Sequence, residues 1–112
     1  MDSKNSLPLT EATFFILLCL STGPKHGYAI MKGVNQMSRG RITFSTGTLY
    51  GALKRLLDQE WIVRNGEEDE GENSRSRKDY ELTALGREVL NAEVVRMKDV
   101  VELALTMNPG EV

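Results

Sequence analysis

Between Ser45 and Tyr50 the chain reads Ser45-Thr46-Gly47-Thr48-Leu49-Tyr50, four hydroxyls within six residues, and Lys54 and Arg55 follow one turn on. Hydroxyls at a helix start can bond phosphate oxygens and base edges, beside backbone N–H groups that point the same way. An ammonium and a guanidinium farther along add charge for adjoining phosphates. The surroundings fit this chemistry. From Ala12 to Leu57 there is no Asp or Glu, while Lys25, Lys32, Arg39, Arg41, Lys54 and Arg55 lie inside, a net charge of +6. The other residues hold eight bases against sixteen acids, net −8, so a chain of formal charge −2 has one strongly basic half. A local positive field of that kind suits a polyanion, because each neutralised phosphate releases condensed counterions.

Other chemistries find little material. His26 is the only histidine, and its place before Gly27 suits a turn or helix cap better than a catalyst. Without a Ser-His-acid set or a metal-ligand spacing, neither an enzyme nor a metal or cofactor site is expected. Cys19, the single cysteine, cannot form an internal disulfide, and its apolar helix suits a buried inert thiol. The run Glu67-Glu68-Asp69-Glu70 lacks the order of a calcium loop and reads as a solvated loop. The longest apolar run, Phe14 to Leu20, is far short of the roughly 20 residues that span a bilayer. Neither a secretory start nor a membrane partner is expected, and the expected compartment is the cytoplasm.

Which elements would position the hydroxyls? At 112 residues, 40% hydrophobic and 27% charged, the chain has the composition of one ordinary globular domain. Thr10 caps a first helix running to about Leu20, apolar on nearly every side and so expected to pack on both its own domain and a second subunit. A second helix is predicted over Gly27–Met37, then a short extended piece at Ile42-Thr43-Phe44. Ser45 caps a third helix to about Glu60, with Leu49, Leu53, Leu56 and Leu57 in one stripe and Gly47, Gly51, Lys54 and Asp58 opposite. Two glycines on an exposed face cost roughly 1 kcal/mol each relative to Ala. They are intelligible where a large object must approach the helix backbone, and tolerated surface glycine is the plainer alternative. Trp61–Arg64 and Lys78–Leu82 read as paired strands. Thr83 caps a last helix to about Met107, in which Leu90, Val94, Met97, Val101 and Ala104 repeat at alternating spacings of four and three, the mark of a coiled-coil seam.

The expected fold is therefore mainly α with a small β-hairpin: a winged helix-turn-helix over residues 1–82 and a C-terminal dimerisation helix and tail over 83–112, forming one structural unit. Three motifs bear on its kinship. Gly23-Pro24-Lys25-His26-Gly27-Tyr28-Ala29-Ile30 resembles the G-P-x-H-G-Y-x-I turn of the PadR family of bacterial transcriptional regulators. Ser45-Thr46-Gly47-Thr48-Leu49-Tyr50 with Leu53, Arg55 and Leu56 resembles its recognition helix, and Arg77-Lys78, Tyr80, Leu82-Thr83 and Gly86 resemble its wing exit. The resemblance runs from about Leu9 to Leu105 and is closest to the short members with one C-terminal helix. Two positions depart from it: Gly51 stands where the family usually has Pro, and Glu60 where it often has Gly.

The resemblance and the charge map together imply a sequence-specific DNA-binding regulator, a homodimeric repressor relieved by a small-molecule effector. Its partner would be a pseudo-palindromic operator read by two third helices in successive major grooves. The expected DNA contacts are Lys25, Arg39, Arg41, Ser45, Thr46, Gly47, Thr48, Tyr50 and Lys54, with Arg75 and Arg77 from the wing. The expected dimer contacts are Phe15, Leu90, Val94, Met97, Val101 and Ala104. For two residues the sequence leaves alternatives open: Arg55 can face DNA or pair with an acid on the last helix, and Tyr50 can face DNA or pack on helix two. The competing function is a winged-helix protein-interaction module without significant DNA binding.

Overall fold

The computed structural model describes residues 6–65 and 79–108. Along the chain run α1 (Glu11–Leu20), α2 (Gly27–Met37), α3 (Thr46–Asp58), β1 (Ile62–Asn65), β2 (Asp79–Leu82) and α4 (Ala84–Met107). Each helix starts where a side chain can take a free N–H. Thr10 Oγ1 accepts from Thr13 N–H, His26 Nδ1 from Ala29 N–H, Ser45 Oγ from Thr48 N–H and Thr83 Oγ1 from Gly86 N–H. His26 is thus a cap, as its position before Gly27 suggested.

The helix ends are less conventional. At the end of α2, Arg39 N–H bonds Gln36 C=O and Gly40 N–H bonds Asn35 C=O. At the end of α3, Glu60 N–H bonds Leu57 C=O and Trp61 N–H bonds Leu56 C=O. Both are Schellman closures, which place one residue in the left-handed region, usually glycine. Here the two positions are Arg39 at φ 55° and Glu60 at φ 66°. The third helix therefore stops at Asp58, short of the predicted Glu60.

The predicted extended piece at Ile42–Phe44 is not a strand. Ile42 N–H bonds Ser38 Oγ at 3.0 Å, and Asn35 Nδ2 donates to Ile42 C=O at 3.3 Å and to Thr43 Oγ1 at 2.9 Å. Side chains at the end of α2 thus take both backbone groups of Ile42, in place of a neighbouring strand. The hairpin is antiparallel, pairing Ile62 with Leu82 and Arg64 with Tyr80. It gains an unforeseen neighbour in Lys25, which donates to Tyr80 C=O at 3.0 Å and accepts from Tyr80 N–H at 2.8 Å. The root of the wing is thereby stitched to the turn between α1 and α2.

One core joins all six elements: Ile16, Leu17 and Leu20 of α1, Ile30 and Val34 of α2, Leu49, Leu53 and Leu56 of α3, Trp61, Ile62, Tyr80 and Leu82 of the wing, and Val89 and Leu90 of α4. Gly86 lets α4 cross the wing root, since a Cβ there would stand 2.9 Å from the Trp61 carbonyl carbon. Cys19 is buried, and burial pushes its thiol pKa up against the opposing charge of Lys25. Glu93 is also buried. Its carboxylate accepts from Arg96 Nε at 2.7 Å and from Leu9 N–H at 3.1 Å. The Arg96 hydrogen bond holds its pKa below the ordinary value, outweighing burial, which acts the other way. Beyond Glu93 the helix leaves the domain, and no residue from Val94 to Asn108 is buried.

Candidate nucleic-acid interface

The start of α3 stands open to solvent. Ser45, Thr46, Gly47, Thr48, Tyr50, Lys54 and Arg55 are all exposed, while Leu49, Ala52, Leu53 and Leu56 hold the other side of the helix in the core. No acid lies in its first turn, so the partial positive charge of the helix N-terminus is not offset there. The hydroxyls differ in their freedom. Ser45 Oγ lies 2.9 Å from Thr48 Oγ1 while it caps Thr48 N–H, so these two are engaged within the helix. Thr46 has no side-chain partner among the described residues and faces outward.

Both glycines of α3 have space around them. A Cβ on Gly47 would meet nothing within 4 Å, and one on Gly51 would meet only Arg55 Nη1 at 4.0 Å. Nothing in the chain itself therefore requires glycine at either place. Gly27 is the opposite case: a Cβ there would stand 2.9 Å from Tyr50 Cζ. Tyr50 thus packs over the first residue of α2 while remaining 45% exposed, so that one edge of the ring braces the helix pair and the other faces out.

The flanking bases are not equivalent. Lys54 is exposed and loosely paired with Asp58 at 3.7 Å, one turn away. Arg39 is exposed at the left-handed end of α2. Arg41 is tied to Glu11 in the first turn of α1, and Lys25 Nζ bonds Thr22 Oγ1 at 2.8 Å. Those two residues, expected as phosphate contacts, already have local roles in fastening turns. Arg55 makes no ion pair with α4 among the described residues, which leaves its guanidinium to solvent. Arg75 and Arg77 lie outside the described residues.

Between α3 and the wing is a concavity of about 640 Å³, lined by Tyr50, Leu53, Lys54, Leu57, Arg64 and Tyr80. Sequence reasoning passed over Arg64, because the basic window was bounded by charge at Leu57 and the strand was read only for its alternation. A second concavity, of about 430 Å³, lies between the segment before α1 and the last turns of α3, with Leu9, Arg55, Gln59 and Trp61 in its wall. Among the described residues no cluster of metal-ligating side chains occurs, and no helix is long and apolar enough to cross a membrane.

Of the expected dimer contacts, Val94, Met97, Val101 and Ala104 are exposed along the free part of α4, with Val100, Leu103 and Met107 beside them. Leu90 is buried within its own chain. Phe15 is half-buried against the core, its ring edge-on to Phe14 with centroids 5.9 Å apart.

Known proteins share this arrangement. A PadR family transcription regulator from Clostridium difficile R20291 superposes with a TM-score of 0.70 at 23% identity, covering 88% of this chain and 98% of its own. Bacillus subtilis PadR, solved in complex with operator DNA, superposes with a TM-score of 0.65 at 24% identity over 79% of this chain and 48% of its own. At these identities the likeness is one of fold. In sequence, an uncharacterized 37.1 kDa protein of transposon TN4556 from Streptomyces fradiae is 40% identical over 87 residues, which are 78% of this chain but 23% of that protein. The chain thus spans about a quarter of that relative's length. Residues 16–92, from α1 through the wing into α4, match the transcriptional regulator PadR-like family, whose members are regulators rather than enzymes. With helix pair, wing and the first turns of the last helix all inside that match, the chain belongs to the PadR-like family of transcriptional regulators.

Proposed function

We propose that this chain is a sequence-specific, homodimeric DNA-binding repressor of the cytoplasm. The observation that carries the reading is the solvent-facing side of α3. Thr46, Gly47, Tyr50 and Lys54 stand exposed there, in a half of the chain without an acid from Ala12 to Leu57. Thr46 and Tyr50 supply hydrogen bonds to base edges or phosphates, Gly47 permits close approach, and Ser45 and Thr48 shape the helix start that points its N–H groups outward. Lys54 and Arg39 add phosphate contacts on either flank. Arg41 and Lys25 contribute field from their tied positions, and Arg75 and Arg77, in the sequence between the two strands, are further candidate phosphate contacts.

Pairing through α4 supports the palindromic operator. The face that enters the core at Val89 and Leu90 continues past the domain as Met97, Val100, Val101 and Ala104, and an apolar helix face of this kind is covered by a second copy. Phe15 of α1 would complete that interface. Relief by a small-molecule effector is supported by the concavity bordered by Arg55 and Trp61, one wall of which is α3.

The experiment is selection of bound sites from a random duplex pool, with affinities then measured at two salt concentrations. The expected result is an enriched inverted repeat with steep salt dependence. Recovery of no motif, with weak binding even at low salt, would favour a protein-interaction module instead.

A further inference from the structure

We infer that Arg64 is a phosphate-positioning residue, holding one sugar–phosphate strand of the duplex in the concavity between wing and recognition helix. The inference rests on the DNA-binding reading above and adds a contact from the wing strand. Strand alternation decides where the side chain goes. Ile62 and Arg64 leave β1 on one face and Val63 on the other; Ile62 is buried, and so is Tyr80, the register partner of Arg64. Arg64 therefore projects from the core-facing side of the hairpin. Beside the buried Tyr80, Arg64 is itself exposed and borders the concavity of about 640 Å³ whose opposite wall carries Lys54.

An apolar residue at this inward position would extend the core over the half-buried Leu57, as Ile62 does one step earlier. Arginine forgoes that burial. Among the described residues nothing anionic compensates: no ion pair reaches Arg64, and Glu81 is opposite Val63 on the other face, where it bonds Asn65. The concavity thus has a guanidinium on one wall, an ammonium on the other and the Tyr50 ring at its border. A polyanionic strand is the partner this arrangement fits, and the guanidinium fork matches a phosphate bidentately. The loop sequence points the same way. Residues 66–78 carry five acids and three bases, a net negative composition, and Arg64 adds positive charge to the wing side from the strand.

The test uses the full chain, a labelled duplex of mixed sequence and the selected duplex, each titrated over a series of KCl concentrations. Arg64→Ala and Arg64→Gln should each weaken binding to both duplexes about equally and lower the salt slope by about one. Arg64→Lys, which keeps the charge without the fork, should keep the slope and lose part of the affinity. Lys98→Ala, an exposed base on the polar side of α4, should change neither. Thermal melting of each variant separates loss of fold from loss of contact. Wild-type binding that Arg64→Ala and Arg64→Gln leave unchanged in slope and affinity would overturn the role of Arg64 alone. A loss confined to the selected duplex would also overturn it, by showing base readout in place of phosphate contact. Failure of the wild type to bind either duplex at low salt would overturn the DNA reading, and the role of Arg64 with it.

Discussion

Glu93, the last buried residue before α4 leaves the domain, accepts the backbone N–H of Leu9 at 3.1 Å, across 84 residues of sequence. Together with Arg96 this bond fastens the segment entering α1 to the last helix. The carboxylate's pKa is lowered chiefly by the Arg96 hydrogen bond. A group lowered on folding contributes stability that is present above its unfolded value and lost as pH falls through the folded one. Stability against urea should therefore decline as pH drops below the ordinary carboxylate value of 4.5. Glu93→Gln should flatten that acid limb relative to wild type. It should also lower the urea midpoint at neutral pH, by about 1–3 kcal/mol of stability, as a charge-assisted pair is lost. An acid limb equally steep in the variant would assign the pH dependence to other carboxylates.

Gly51 separates stability from binding. It lies within α3, and an added Cβ would find open space. Gly51→Ala should stabilise the fold by about 0.5–1 kcal/mol, through helix propensity alone. If duplex DNA approaches this side of the helix, the same change should weaken binding. A variant that melts higher and binds DNA as tightly as wild type would place Gly51 outside the interface.

Arg39 and Glu60 form a matched pair of left-handed helix ends. Glycine at either position should relieve about 1 kcal/mol of backbone cost, partly offset by the greater freedom of glycine in the unfolded chain. Glu60→Gly should raise the melting temperature with DNA affinity unchanged. Arg39→Gly should raise it as well but lower both affinity and salt slope, because it removes a proposed phosphate contact. Equal binding by the two variants would remove Arg39 from the interface.

Val94 is 44% and Val101 53% exposed on the free part of α4. An aspartate at either place would bury a charge in any α4–α4 seam, while costing an isolated protomer little. Sedimentation of Val94→Asp and Val101→Asp should give monomers with unperturbed helical circular dichroism. A dimer that survives both substitutions would exclude this face as the pairing surface.

Local chemistry made most of the architecture readable before any coordinates. Thr10, Ser45 and Thr83 sit at helix starts because capping acts over three residues, and Tyr80 and Leu82 face the core because strand alternation is a two-residue rule. What escaped depends on side-chain partners that capping and alternation rules do not register. Lys25 and Arg41 looked like free bases, yet Thr22 takes the ammonium of one and Glu11 the guanidinium of the other. Ile42–Phe44 looked like a short strand, yet Asn35 and Ser38 take the backbone groups of Ile42. Glu93 gave no sign of burial, since Leu9 and Arg96 are what make a carboxylate tolerable there. The spacing of the α4 seam was legible, but not that Leu90 would be used up inside its own chain.

Two hydrogen bonds between Lys25 and Tyr80 fasten the wing root to the helix pair, and Gly86 seats α4 directly on that root. A reading head built this way is a block rather than a jaw. In a paired molecule the adjustable quantity is then the span between two blocks, as in a caliper whose beam is α4. Such a molecule would gauge the distance between half-sites more than it tightens or loosens its grip on either one.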